Sequence, residues 1–154
     1  MAVTKVDIEK LIRDCRITSC LECGKCTAIC PLNRDFGDDE QGHSPRGIIG
    51  MALLDTDLVM SETIWHCLSC DVCTEGCPSG VRFRDFIEAV RRLALADGHD
   101  SFAVHCSRCN DYFLPLSVHG LIERRLGTGG TTPGFMSLCP RCRPREFAKK
   151  VKNA

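Results

Sequence analysis

Aromatic side chains are scarce in this chain: one Trp, one Tyr and seven Phe make up 6% of its 154 residues. A core cannot rest mainly on large rings here, so ring burial leaves part of the folding free energy to another source. An excess of charge of one sign is also missing. Lys+Arg and Asp+Glu stand at 20 each, which removes the broad basic footprint of a nucleic-acid binder. No apolar run approaches membrane-spanning length, since the longest, Ile48 to Leu54 around Gly50, falls far short of the ~20 residues a spanning helix needs. No Ser/His/Asp or Cys/His arrangement marks a nucleophilic catalyst. Gly127-Thr128-Gly129-Gly130 lacks the lysine and preceding strand of a phosphate-binding loop. The chain alone reads as having no catalytic site of its own. Met1-Ala2-Val3-Thr4-Lys5-Val6-Asp7 starts a charged helix rather than a secretory leader, so a cytoplasmic, reducing compartment is expected.

What the chain has in abundance is cysteine, thirteen in all. Eight fall in two copies of one pattern: Cys20-x2-Cys23-x2-Cys26-x3-Cys30-Pro31 and Cys67-x2-Cys70-x2-Cys73-x3-Cys77-Pro78. This is the bacterial iron–sulfur signature, in which three closely spaced thiolates hold three corners of a cubane and the proline-followed fourth reaches the other cluster. It predicts two [4Fe–4S] clusters, one on Cys20, Cys23, Cys26 and Cys77, the other on Cys67, Cys70, Cys73 and Cys30. A disulfide framework would need an oxidising compartment. Zinc requires four ligands and gives no reason for a triple with a proline-marked fourth. Bound clusters then supply the folding free energy that the sparse aromatics do not, as structural metals do.

Around the motifs the pattern is helical. Residues 4 to 16 carry Ile8, Leu11, Ile12 and Cys15 at helical spacing, with Thr4 as a cap. Cys15, on that stripe, is expected to be a buried small hydrophobe. A polar loop from Asp35 to Gly42 precedes Ser44-Pro45, a cap followed by proline at the first helical position, with a helix to Asp55. A second short helix is expected from Ser61, its hydroxyl accepting from the Ile64 N–H. From Val81 to Ala96, Phe83, Phe86, Ile87, Val90 and Leu93 or Ala94 form the inner face, with Arg84, Glu88, Arg91 and Arg92 outside and Gly98 as the stop. No alternating Val/Ile/Thr run joins the motifs. The expectation is an all-α, helical two-cluster ferredoxin over residues 1–98.

Residues 99–154 form a second, small unit. Cys106-x2-Cys109 and Cys139-Pro140-x-Cys142 are two knuckles that together supply a tetrahedral all-sulfur metal site. Zinc in a zinc-ribbon-like unit is the expected occupant, with a single rubredoxin-like iron as the alternative. His105 and His119 are placed outside the ligand set. Gly127 to Gly134 reads as a flexible loop, and a basic end, Arg141, Arg143, Arg145, Lys149, Lys150 and Lys152, reads as solvated.

From Ser19 to Arg92 the sequence resembles the iron–sulfur C subunit of heterodisulfide reductases and, more broadly, the helical ferredoxin domain of succinate dehydrogenase and glycolate oxidase iron–sulfur proteins. The residues that carry this are Cys20-Leu21-Glu22-Cys23-Gly24-Lys25-Cys26, Cys30-Pro31, Ser44-Pro45-Arg46 and Ile64-Trp65-His66-Cys67-Leu68-Ser69-Cys70. The resemblance implies a subunit that relays single electrons between a flavin-containing subunit and a cysteine-rich catalytic subunit. The C-terminal four-cysteine unit matches no part of such a C subunit. The alternatives are the iron–sulfur subunit of a quinone-linked dehydrogenase, or a zinc-binding structural or regulatory protein. Lys25, Arg46, Arg82 and Arg84 are the expected cations near the clusters, and Trp65 is expected to pack beside one.

Overall fold

The computed structural model describes residues 5–36, 43–54, 57–126 and 133–152. The chain divides into two compact units, Met1–Asp100 and Ser101–Ala154. In the first, every described element is helical. Helix α1 (Lys5–Asp14) leads through a 3-10 turn, Ile17–Ser19, into the first motif. Short helices α2 (Lys25–Ala28) and α3 (Pro31–Phe36) follow, so Asp35 and Phe36 end a helix rather than open a loop. Thr4, the rest of that loop and Asp55 lie outside the described residues.

Helix α4 (Pro45–Leu53) starts as its sequence dictates: Ser44 Oγ accepts from the Gly47 N–H at 3.0 Å, and Pro45 occupies the first turn, where its missing N–H costs nothing. The segment before the second motif is a 3-10 turn, Glu62–Trp65, and Ser61 Oγ accepts from Thr63 at 3.2 Å instead of from Ile64. The tighter winding brings the donor one residue closer. Helix α5 (Val72–Glu75) is the counterpart of α2, and α6 (Phe83–Ala96) closes the unit. Gly98 ends α6 at φ 87°, its N–H bonding to Leu95 and that of His99 to Ala94, the paired closure that a left-handed glycine permits.

The core gathers Ile17, Ile48, Ile64, Trp65, Phe86, Ile87, Val90 and Ala94, with Cys15 buried beside them. Arg91 departs from the expected outer face. It is only 3% exposed, because it lies one turn beyond Ile87 and one before Ala94, at the edge of the apolar stripe.

The second unit is not all-α. Strand β1 (Ala103–His105) pairs antiparallel with β2 (Tyr112–Pro115), Ala103 opposite Pro115 and Val104 opposite Leu114, with an irregularity between Val104 and His105. Helices α7 (Leu116–Leu126), α8 (Pro133–Met136) and α9 (Arg143–Lys152) complete it. Strands of three and four residues are too short to show a period of two in sequence. The loop segment 127–132 lies outside the described residues, whereas Pro133 and Gly134 are helical. Among the described residues no helix is long and apolar enough to cross a membrane.

Candidate metal centres

Both motifs share one backbone trace. Glu22 and Ser69, the second residue after each leading cysteine, take left-handed φ of 51° and 52°. Gly24 and Asp71, just before α2 and α5, do the same at 76° and 70°. An L-residue in this region carries a cost of roughly 1–2 kcal/mol, so Glu22, Ser69 and Asp71 hold strain that the surroundings must impose. The curl turns amides toward sulfur: Glu22 N–H donates to Cys20 Sγ at 3.4 Å and Ser69 N–H to Cys67 Sγ at 3.3 Å. Val81 N–H donates to Cys77 Sγ at 3.4 Å.

Two hollows lie between these loops. One, of about 430 Å³ including its open mouth, is bordered by Cys20, Cys23, Cys26 and Cys77, with Cys73, Pro45, Ile49, Val81 and Phe83 in its wall. The other, of about 340 Å³, is bordered by Cys30, Cys67, Cys70 and Cys73, with Leu32, Pro45, Val72 and Phe83. Each motif thus sends its triple to one hollow and its proline-marked cysteine to the other. Pro45, Cys73 and Phe83 border both, so the hollows are neighbours.

None of the thirteen cysteines is in a disulfide. Burial pushes the thiols of Cys26 and Cys67 up and that of Cys73 up to about 12, since an apolar wall disfavours a bare thiolate. A cationic metal group removes that penalty. Among the described residues no three of the eight sulfurs come within 4.8 Å of one another. A lone tetrahedral ion needs closer convergence, whereas thiolates on separate irons of one cluster stand further apart. Donor chemistry, apolar wall and inward amides fit an iron–sulfur cluster in each hollow.

The expected cations are mostly spoken for. Arg46 pairs with Glu22 at 3.2 Å, Arg84 with Glu88 at 3.3 Å and Asp71 at 3.5 Å, and Arg82 with Asp85 at 3.5 Å. Sequence reasoning missed Arg91. Its guanidinium donates from Nε to the Ile64 carbonyl at 2.7 Å, from one terminal nitrogen to the Cys67 carbonyl at 2.6 Å and from the other to Ser69 Oγ at 3.1 Å. Helical spacing from Ile87 and Ala94 was the available signal. Trp65 is buried, with Arg91 5.9 Å from its ring centre.

In the second unit the sulfurs of Cys106, Cys109, Cys139 and Cys142 all lie within 4.8 Å of one another. The first knuckle sits in the turn of the hairpin: Cys106 N–H donates to Asp111 O at 3.0 Å, and Asn110, at φ 56°, donates to Cys106 O at 2.9 Å. In the second, Cys142 N–H donates to Cys139 O at 3.0 Å. Cys109 Sγ and Cys139 Sγ are 3.7 Å apart. Thiolates about 2.3 Å from one tetrahedral ion stand about 3.8 Å apart, so this site is spaced for a single ion. The Cys139 N–H, donating to Cys106 Sγ at 3.4 Å, brings the Cys106 thiol down to about 6. His105 bonds through Nδ1 to Asn110 O, and His119 pairs with Glu123. Neither belongs to the converged set. From the basic end, Arg141 pairs with Asp111, and Arg143 donates to Leu138 O and stacks 4.4 Å from the Phe135 ring centre. Both brace the site.

Residues 16–81 match the family model described as the 4Fe-4S dicluster domain. Over 84 residues the chain is 36% identical to the H(2)/formate:CoB-CoM heterodisulfide,ferredoxin reductase subunit C2 of Methanococcus maripaludis. That stretch is 54% of this chain and 43% of the relative, so the chain spans less than half the length of the protein it matches. The first unit carries an iron–sulfur segment similar to heterodisulfide reductase C subunits, as the residues from Ser19 to Arg92 indicated.

Proposed function

We propose that the chain is an electron-relay subunit of a heterodisulfide-reductase-like complex, holding two [4Fe–4S] clusters. Cys20, Cys23, Cys26 and Cys77 hold one, and Cys67, Cys70, Cys73 and Cys30 the other. The supporting observation is the crossed lining of the two hollows, which a pair of independent sites would not produce. Bound clusters supply reversible one-electron chemistry at potentials of roughly −700 to +450 mV. The chain's own residues do the rest. Glu22, Ser69 and Val81 amides hold charge on Cys20, Cys67 and Cys77. Pro45, Ile49, Val81 and Phe83 exclude water from one side. Electrons pass between a flavin-containing subunit and a cysteine-rich catalytic subunit in the cytoplasm; the name of the Methanococcus relative, a reductase subunit, supports membership of a multi-subunit reductase. Cys106, Cys109, Cys139 and Cys142 hold a structural Zn²⁺, for which a single iron is the alternative occupant.

Anaerobic reconstitution tests this directly. The expected product binds about eight irons and one zinc and gives cluster signals by EPR after dithionite; a colourless chain carrying zinc alone would reject the relay. Pull-down from anaerobic extract should recover a flavoprotein and a cysteine-rich subunit. Recovery of a membrane anchor instead would favour the quinone-linked dehydrogenase.

A further inference from the structure

The likeness of the two motifs makes their one large difference readable. Glu22 and Ser69 occupy equivalent positions with the same left-handed φ, and each receives a hydrogen bond from an arginine outside its motif. Arg46 donates to Glu22 Oε2 at 3.2 Å, and Arg91 donates to Ser69 Oγ at 3.1 Å. On the first motif the charge is cancelled by the carboxylate, and both side chains are at least half exposed, at 50% and 72%, where solvent screens what remains. On the second motif no carboxylate among the described residues cancels it. The acceptors of Arg91 are the carbonyls of Ile64 and Cys67 and the Ser69 hydroxyl, all neutral. A cation buried among neutral acceptors is costly unless an anion lies close by. Arg91 touches the leading cysteine and third residue of the motif whose hollow would hold an anionic, thiolate-ligated cluster.

We infer that Arg91 makes the hollow of Cys67, Cys70, Cys73 and Cys30 the resting place of an added electron. Its uncancelled charge raises the reduction potential there above that of the hollow of Cys20, Cys23, Cys26 and Cys77. In the exchange the first centre is oxidised by one electron as the second is reduced by one; no bond forms or breaks and no proton moves. Arg91 is a positioning residue and gives the relay a direction. The inference rests on the two-cluster reading above.

The test is an EPR-monitored redox titration of the anaerobically reconstituted full chain, mediated and driven by dithionite. Wild type is expected to show two separate one-electron waves. R91M should lower the upper wave by at least tenfold in the reduced-to-oxidised ratio, about 59 mV for a one-electron couple, leaving the lower wave in place. R91K keeps the charge while losing the planar fork, and should hold the upper wave near its wild-type position. A merely structural role would make R91K and R91M alike. E22Q, which removes the cancelling carboxylate, should raise the lower wave alone. Coincident waves in a wild-type chain with its full iron, an unmoved upper wave in R91M, or R91K and R91M shifting equally would each overturn the inference and leave the relay standing. If R91M fails to retain iron, E22Q decides: movement of the lower wave alone supports the asymmetry, and any other response overturns it. A wild-type chain that takes up no iron fails the two-cluster reading instead.

Discussion

In the first unit eight sulfurs border two neighbouring hollows and stay apart, while in the second four sulfurs close on a single point. The electrostatics differ as much as the spacing. Every resolved thiol shift among the eight is upward, from burial. Among the four, amide and thiol hydrogen bonds lower Cys106 and Cys139 while Cys109 and Cys142 are raised. The second site therefore stands partly ionised before any metal arrives, and the first depends on its iron to make thiolates tolerable. On the proposed reading, the difference separates an ion held for structure from clusters whose surroundings set an electron's energy.

The strongest way to break the comparison is to remove one ligand from each region. Cys77→Ser should reduce bound iron from about eight to about four while zinc stays, and Cys139→Ser should release the second unit's metal with all iron retained; metal analysis and visible absorption read both. If either substitution empties the other region, the two are not independent centres. Next in size, Phe86→Ala removes a fully buried ring of α6 and should cost the first unit about 3–5 kcal/mol. Hydrogen exchange should show the loss in α6 amides and none in the hairpin.

A metal-stripped chain sharpens the electrostatic contrast. Cys106 is depressed from the ordinary 9.0 to about 6, so its contribution is full above pH 9 and is lost as pH falls through about 6. Cys73, raised to about 12, acts in the opposite sense: its contribution is full below pH 9 and is lost as pH rises through about 12. Between pH 6 and 9, exchange at the Cys139 amide should slow after correction for base catalysis, while thiol ionisation leaves the first unit unchanged. The smallest effect lies in the backbone of the repeated motif. Gly24→Ala meets no atom within 4 Å and suffers only its φ of 76°, so urea denaturation of the holoprotein should show a loss of about 1–2 kcal/mol. Asp71→Gly at the equivalent position should gain less, because Asp tolerates this region better than most residues and the change gives up the Arg84 pair.

Much of this was legible before any fold. Ser44-Pro45 announced the start of α4, and Gly98 the end of α6, because caps act over four residues and need no distant partner. Each of the knuckles at Cys106 and Cys139 was legible for the same reason, and their joining into one site followed from the four ligands a tetrahedral ion needs. The hairpin did not declare itself, since its strands are held by pairing across the knuckle rather than by a pattern along the chain. The charge of Arg91 points it to solvent, although its spacing from Ile87 and Ala94 puts it at the stripe's edge. Residue type and position disagreed there, and the neutral acceptors that let position win come from Ile64, Cys67 and Ser69, more than twenty residues away.

The sequence by itself determined which ligand chemistry the chain offers, because thiolates three residues apart on a curled backbone have few other uses and that geometry is local. The motif also named which triple goes with which fourth cysteine; only the tertiary structure decided that each such set borders one hollow, and which arginine is buried with no carboxylate among the described residues. Both depend on elements distant in the chain meeting around one volume, and burial is a sum over all of them that no single stretch contains.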